Sequence, residues 1–318
     1  SDGAGTFVAG TLPVQAGFTF SLNNDTVAKQ LQLVVTSQYP SRRWAVGDGS
    51  WDLRIANWQL LSGGGLVDYI ENARLTFDDT NTGTSPITVT LDTTHTPGNM
   101  TVNSTKNYVI GGGAIAGTAT LTKSGSSTLT LTGANTYSGV TTVNGGEMIL
   151  SSVSGPAVAG PITINTNGTL QLGNSSGDQI AAGVTVTMAG GTFDLAGAAE
   201  GFTSLNGYGT VEDSVGGGAM TMTGGNTVSG GLLTVQSGTL NTPGGTTSLV
   251  VNNAATFLQT GGAVNVNGYV QVAGQLTVAG GSFGCGLELM PGFTTAGVVT
   301  VNGGTLNAYL LRVGTTGN

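Results

Sequence analysis

The stretch that decides the fold is Ser126-Ser-Thr-Leu-Thr-Leu-Thr-Gly-Ala-Asn-Thr-Tyr-Ser-Gly-Val-Thr-Thr-Val-Asn-Gly-Gly-Glu-Met-Ile-Leu150. It holds three alternating runs, Thr-Leu-Thr-Leu-Thr, Thr-Thr-Val-Asn and Glu-Met-Ile-Leu, punctuated by Gly133 and the pair Gly145-Gly146. Alternation with a period of two places one set of side chains on a single face of a strand. A strand, a glycine corner and a second strand then recur to the end of the chain. The glycine ahead of the second strand falls at 146, 168, 191, 218, 238, 262, 281 and 304. Those intervals of 22, 23, 27, 20, 24, 19 and 23 residues average about 23, the length of one coil in a parallel β-helix. The apolar positions beside the corners (Met148/Leu150, Leu170/Leu172, Phe193/Leu195, Met220/Met222, Val264/Val266) cannot be buried by one coil alone. Neighbouring coils must therefore stack into a continuous core. Roughly eight such coils give a rod on the order of 40 Å long.

Composition agrees. There are 56 glycines in 318 residues and only 8% charged side chains. Gly, Thr, Val and Asn are poor helix formers, and no stretch keeps a 3.6-residue period. The fold class expected is all-β, a β-solenoid. A net charge of −8 argues against a nucleic-acid partner, which requires a basic stripe. No apolar run is long enough for a membrane-spanning helix, so no membrane insertion is expected. The start, Ser1-Asp-Gly-Ala-Gly, has no signal-peptide pattern, which reads as a mature form or a piece of a longer protein. The lone Cys285 rules out an internal disulfide and reads as a small buried hydrophobe.

Three regions separate. Residues 1–40 read as a hairpin or strand-donating segment, with Gly17–Leu22 and Gln30–Val35 as its strands. Residues 41–85 hold Trp44, Trp51, Trp58 and four of the five arginines. The repetitive pattern fills 86–318. It runs through Tyr309–Val313 without a cap sequence, and an uncapped rung would pair with another chain.

Lys123-Ser-Gly-Ser-Ser-Thr-Leu-Thr-Leu-Thr-Gly-Ala-Asn-Thr-Tyr-Ser-Gly-Val-Thr-Thr-Val-Asn-Gly-Gly146 resembles the autotransporter-associated β-strand repeat (passenger-associated transport repeat) of bacterial extracellular surface proteins. Trp44–Asp52, Asn57-Trp58 and Leu75–Asp79 resemble the tryptophan-rich lead-in that accompanies it. The resemblance implies a right-handed parallel β-helix on the bacterial cell surface. No membrane barrel of the family's kind is visible in the sequence.

Chemistry is sparse. No Lys, Arg or His lies between Lys123 and Arg312, so the repeats lack the base that a polysaccharide lyase requires. A hydrolase needs two carboxylates, and the candidates are Asp178, Asp194, Glu200, Glu212 and Asp213. Asp194 alternates with Phe193 and Leu195, so it is expected to face outward, about one coil from Glu212 and Asp213. His95, before Pro97, reads as a solvated loop residue. Asp48, Asp52, Asp78 and Asp79 are calcium candidates because hard cations favour clustered oxygens, although Asx-turns account for the same residues. No other cofactor is expected. Trp51 and Trp58 are candidates for stacking on glycans, set against packing in a core. Asn144, Asn167 and Asn302, each close to a corner, are expected to stack as an amide ladder. The reading that results is a non-enzymatic structural protein that stacks end to end with itself into a surface fibre or sheath. The alternatives are a glycan-binding, adhesive passenger touching glycans or the cell envelope, and a polysaccharide hydrolase.

Overall fold

The computed structural model describes residues 18–25, 30–37, 41–173, 178–242, 247–292 and 297–312. Among them there is no helix, hence none long and apolar enough to cross a membrane. Twenty-eight strands form one continuous sheet that winds into a parallel β-solenoid of about 11 turns. At about 4.8 Å per rung the rod is about 50 Å long. Coils vary in length. Arg74 to its partner Asn99 is 25 residues, and Val186 to its partner Leu205 is 19.

The strands stack into three faces. Face one carries Arg74–Phe77, Asn99–Asn103, Thr120–Ser124, Thr141–Val143 and Ile162–Asn165, each parallel to the next. Face two carries Ile87–Leu91, Tyr108–Gly112, Thr128–Leu131, Gly146–Leu150 and Gly168–Leu172. In these early coils face three is represented by isolated bridges, His95 with Ile115 and Val158 with Ile180. From residue 199 it becomes a true strand column: Ala199–Phe202, Ala219–Met222, Thr239–Thr242, Ala263–Val266, the start of Ser282–Pro291, and Thr305–Leu311.

The change of face has a visible cause. In Thr185–Asp194, Ser204–Glu212 and Asn226–Val235 the sharp corner between faces one and two relaxes to a bulge within one long strand. Gly190 and Gly230 bend there at φ +95° and +77°, which only glycine adopts without strain. The sharp corner then moves to the junction of faces two and three. The regular glycine series of the sequence therefore spans two different edges of the rod. Gly146, Gly168 and Gly191 belong to face two, whereas Gly218, Gly238, Gly262, Gly281 and Gly304 open strands of face three. The 27-residue interval between 191 and 218 marks the switch.

The core is a bundle of inward columns. Leu129, Met148, Leu170, Phe193 and Val211 lie in register on five successive coils, each at most 1% exposed. Burying a side chain of that size contributes about 1.5–3 kcal/mol.

The tryptophan-rich stretch is hydrogen-bonded into the same sheet. Arg42–Trp44 is parallel to Arg74–Phe77 on one side and antiparallel to Trp58–Leu60 on the other, which in turn pairs antiparallel with Leu66–Val67. These antiparallel strands cover the edge of the first face-one rung. Below them Trp44, Trp51 and Trp58, all fully buried, pack edge to face at 5.0 and 5.3 Å between ring centroids. Upstream, Phe18–Asp25 and Gln30–Ser37 form the expected antiparallel hairpin in a sheet of its own.

Candidate functional site

Trp51 and Trp58 lie wholly inside the first coils. Trp51 packs on Trp58, Tyr69, Phe77 and His95, and Trp58 on Trp44, Tyr69 and Phe77. With no exposed surface, neither ring offers a face on which a sugar can stack. The indoles form the core of the cap.

The four candidate calcium ligands are spread along the cap and serve the backbone. Asp52 Oδ1 accepts from the Arg54 and Ile55 amides, both at 2.7 Å. Burial raises its pKa, but these bonds and the Ser50 hydroxyl outweigh that and hold it below the ordinary value. Asp48 Oδ1 accepts from the Thr88 amide at 2.7 Å, and Asp78 Oδ1 from the Thr80 amide at 2.9 Å. Asp79 accepts from the Ser104 hydroxyl and from the Thr105 and Lys106 amides. Among the described residues, no three His, Cys, Asp or Glu side chains come together in a way that could hold a metal ion.

Asp194 does not face outward. It is 3% exposed and meets four donors: the Ala196 and Ser214 amides, the Ser214 hydroxyl and the Gln171 side-chain amide. The strand ends there, and the carboxylate is folded under the turn of the following coil. Four donors fill the acceptor sites of a carboxylate and depress its pKa against the opposing effect of burial. Glu212 stands in register with Asp194 on the next coil, as expected. Asp213 accepts from the amides of Gly197, Gly216 and Gly218. Glu200, 3% exposed, accepts from the amides of Gln179, Ile180 and Gly201. Three of these acids thus hold turns.

The largest departure from expectation is His95. It is fully buried, and both ring nitrogens are engaged. Nδ1 lies 2.8 Å from Glu71 Oε1, and Nε2 lies 2.8 Å from Asp92 Oδ1 and 2.9 Å from the Trp51 carbonyl. The ring stacks on Trp51 with 5° between planes. Burial lowers its pKa, but Glu71, Asp92 and the Trp51 carbonyl raise it above the ordinary value. Glu71 Oε2 also accepts from the Tyr69 hydroxyl and from the Thr96 amide and hydroxyl. A cleft of about 390 Å³, lined by Asp52, Leu53, Arg54, Ile55 and Asp92, opens beside this cluster. The pattern Thr-His-Thr-Pro conceals all this, because two of the three partners, Glu71 and Trp51, are distant in sequence.

Lys123 is a second inward surprise. It occupies a core position between Val102 and Val143, and its ammonium donates to the carbonyls of Ser124, Gly125 and Gly145. Cys285 is buried, and burial raises its pKa. Asn144 does stack with an amide on the next coil, Asn165, whose Nδ2 donates to Asn144 Oδ1 at 2.6 Å, and Asn265 donates likewise to Asn241 at 3.0 Å. Asn167 is instead a turn residue at φ +72°.

The passenger-associated transport repeat family matches residues 121–150 and 215–241. The chain is also 31% identical over 229 residues to the adhesin BmaC autotransporter of Brucella suis biovar 1 (strain 1330), an alignment covering 62% of this chain. It spans only 6% of the length of that adhesin. No solved structure matches significantly. The chain is a β-solenoid that carries two copies of the passenger-associated transport repeat, the autotransporter-associated repeat to which residues 123–146 bear their resemblance.

Proposed function

We propose that this chain is a length of an extracellular, non-catalytic passenger at a bacterial surface, a stiff solenoid that carries adhesive surface away from the cell. The observation that supports this best is the stacking of inward columns from coil to coil, joined to two copies of a repeat found in passengers. The likeness to an autotransporter adhesin supports the adhesive part of the reading. Beads coated with the purified chain should adhere to matrix-protein or glycan surfaces above beads coated with an unrelated β-solenoid. Background adhesion on every surface would remove the adhesive role.

A second reading, end-to-end assembly into a fibre, is favoured by the hairpin. Among the described residues it belongs to no larger sheet, and Leu22, Leu33 and Val34 on it are exposed. An isolated two-stranded hairpin is marginal in water, and adding its strands to another copy would complete it. Deleting residues 1–40 should then abolish assembly and leave a soluble β protein. Fibres unchanged by the deletion would discard this reading.

A further inference from the structure

We infer that His95 is a pH-responsive lock that fastens the tryptophan cap to the first full coil: doubly protonated it ties three segments together, and on losing a proton it lets the cap loosen. The geometry requires two N–H donors. Nδ1 faces only a carboxylate oxygen, and Nε2 faces a carboxylate oxygen and a carbonyl. Neutral imidazole has a single donor. One nitrogen of the fully buried ring would then point a lone pair at an acceptor and leave its hydrogen bond unmade, which is costly for a group that cannot turn to water.

The three acceptors come from three places. Glu71 lies between the cap strand Leu66–Val67 and the face-one strand Arg74–Phe77. Asp92 follows Ile87–Leu91, and Trp51 ends Gly49–Trp51. His95 itself is anchored to the next coil by the Ala114 carbonyl and the Ala116 amide. The ionisable groups facing it are Glu71 from the cap side, Asp92 from its own coil, Asp52 just beyond Trp51, and the ring of Tyr69 edge-on at 5.1 Å. Arg54 shares the adjoining cleft with Asp92. Glu71 is the hinge of the arrangement, since it also holds Tyr69 and Thr96. Releasing it frees the floor on which the indoles rest.

The sequence supplies two selective probes. All three tryptophans lie in the cap, and His95 is the only histidine. Tryptophan emission therefore reports the cap alone, and the one imidazole NMR titration belongs to His95. From pH 5 to 9, emission of the full chain should shift to the red with a midpoint above 6.5, coincident with the imidazole titration, while the far-ultraviolet β signal stays constant. Glu71→Gln should lower that midpoint by about one pH unit or more, as expected on losing an opposite charge in contact. His95→Gln should abolish the step. Emission that stays flat while the imidazole titrates, a midpoint at or below 6.5, or the same step in His95→Gln would overturn the lock. If His95→Gln fails to fold, the midpoint in Glu71→Gln decides, and an unchanged midpoint rejects it.

Discussion

The Lys123 ammonium crosses a coil boundary to donate to the Gly145 carbonyl, 3.0 Å away on the next turn of the rod. With Ser124 and Gly125 it closes a cage of three carbonyls at the sharp corner between faces one and two. Burial pushes its pKa down to about 8 from 10.5, with the charge of Glu147 opposing. Below pH 8 folded and unfolded chains both hold the proton. Between 8 and 10.5 the unfolded chain binds more protons, so the contribution of Lys123 to stability rises with pH. Lys123→Met should lack that rise. At pH 10 it should be less stable than the parent by about 1–3 kcal/mol, because the carbonyls of the cage lose the two N–H donors of the neutral amine. The gap should narrow below pH 8, where the parent carries a buried charge. Chemical denaturation of both proteins from pH 6 to 10 checks this.

Glu200 behaves with the opposite sign. Burial and the charge of Asp178 raise its pKa to about 7 from 4.5, against three backbone amides that lower it. Between pH 4.5 and 7 the folded state binds more protons, so stability falls as pH rises through that window. The full difference is about 3 kcal/mol at 1.36 kcal/mol per unit. Glu200→Gln should flatten the fall. An equal slope in both proteins would show that the carboxyl ionises normally.

The stacked corners make a sharp prediction about glycine. A Cβ on Gly281, at φ +70°, would sit 2.2 Å from the Gly262 carbonyl of the previous coil. Gly64, at φ +105°, has nothing within 4 Å. Gly64→Ala should cost only the backbone term, about 1–2 kcal/mol. Gly281→Ala should cost on the order of 3–5 kcal/mol, because the added Cβ meets rigid backbone as well as a left-handed φ. Paired thermal melts test the contrast.

Protease access follows from the same burial. Lys123 is fully buried, and no Lys or Arg lies between it and Arg312. Trypsin should cut the native protein at exposed Arg54 and Arg74 and leave the bond after Lys123 intact. After unfolding, that bond should be cleaved. Intact-mass analysis of the digests distinguishes the two.

Much of this rod is legible in the sequence, because alternation and glycine corners report local geometry. Met148/Leu150 and Leu170/Leu172 do line the core, and the hairpin strands fall where alternation placed them. What stays hidden is which edge of the rod a corner occupies. The first matched repeat turns its Gly145-Gly146 corner from face one to face two, whereas the second turns at Gly238 from face two to face three. The motif encodes a bend, and the accumulated lengths of preceding coils decide where the bend lies. The site residues fail for a related reason. His95 and Asp194 read as exposed from their neighbours in sequence, yet both are covered by groups about 20 residues or more away along the chain. Alternation cannot report what the coil above or below supplies.

The central claim is that successive coils lie over one another in register. Thr101 connects to Thr227 through Thr122, Thr142, Thr163, Thr187 and Asn206, six steps up face one. At about 4.8 Å per step, the two positions lie about 29 Å apart although 126 residues separate them. Spin labels at Thr101→Cys and Thr227→Cys, in a Cys285→Ser background, should give a narrow distance distribution centred near 30 Å by pulsed electron paramagnetic resonance. A broad distribution, or a maximum displaced by 10 Å or more, would contradict the stacked solenoid.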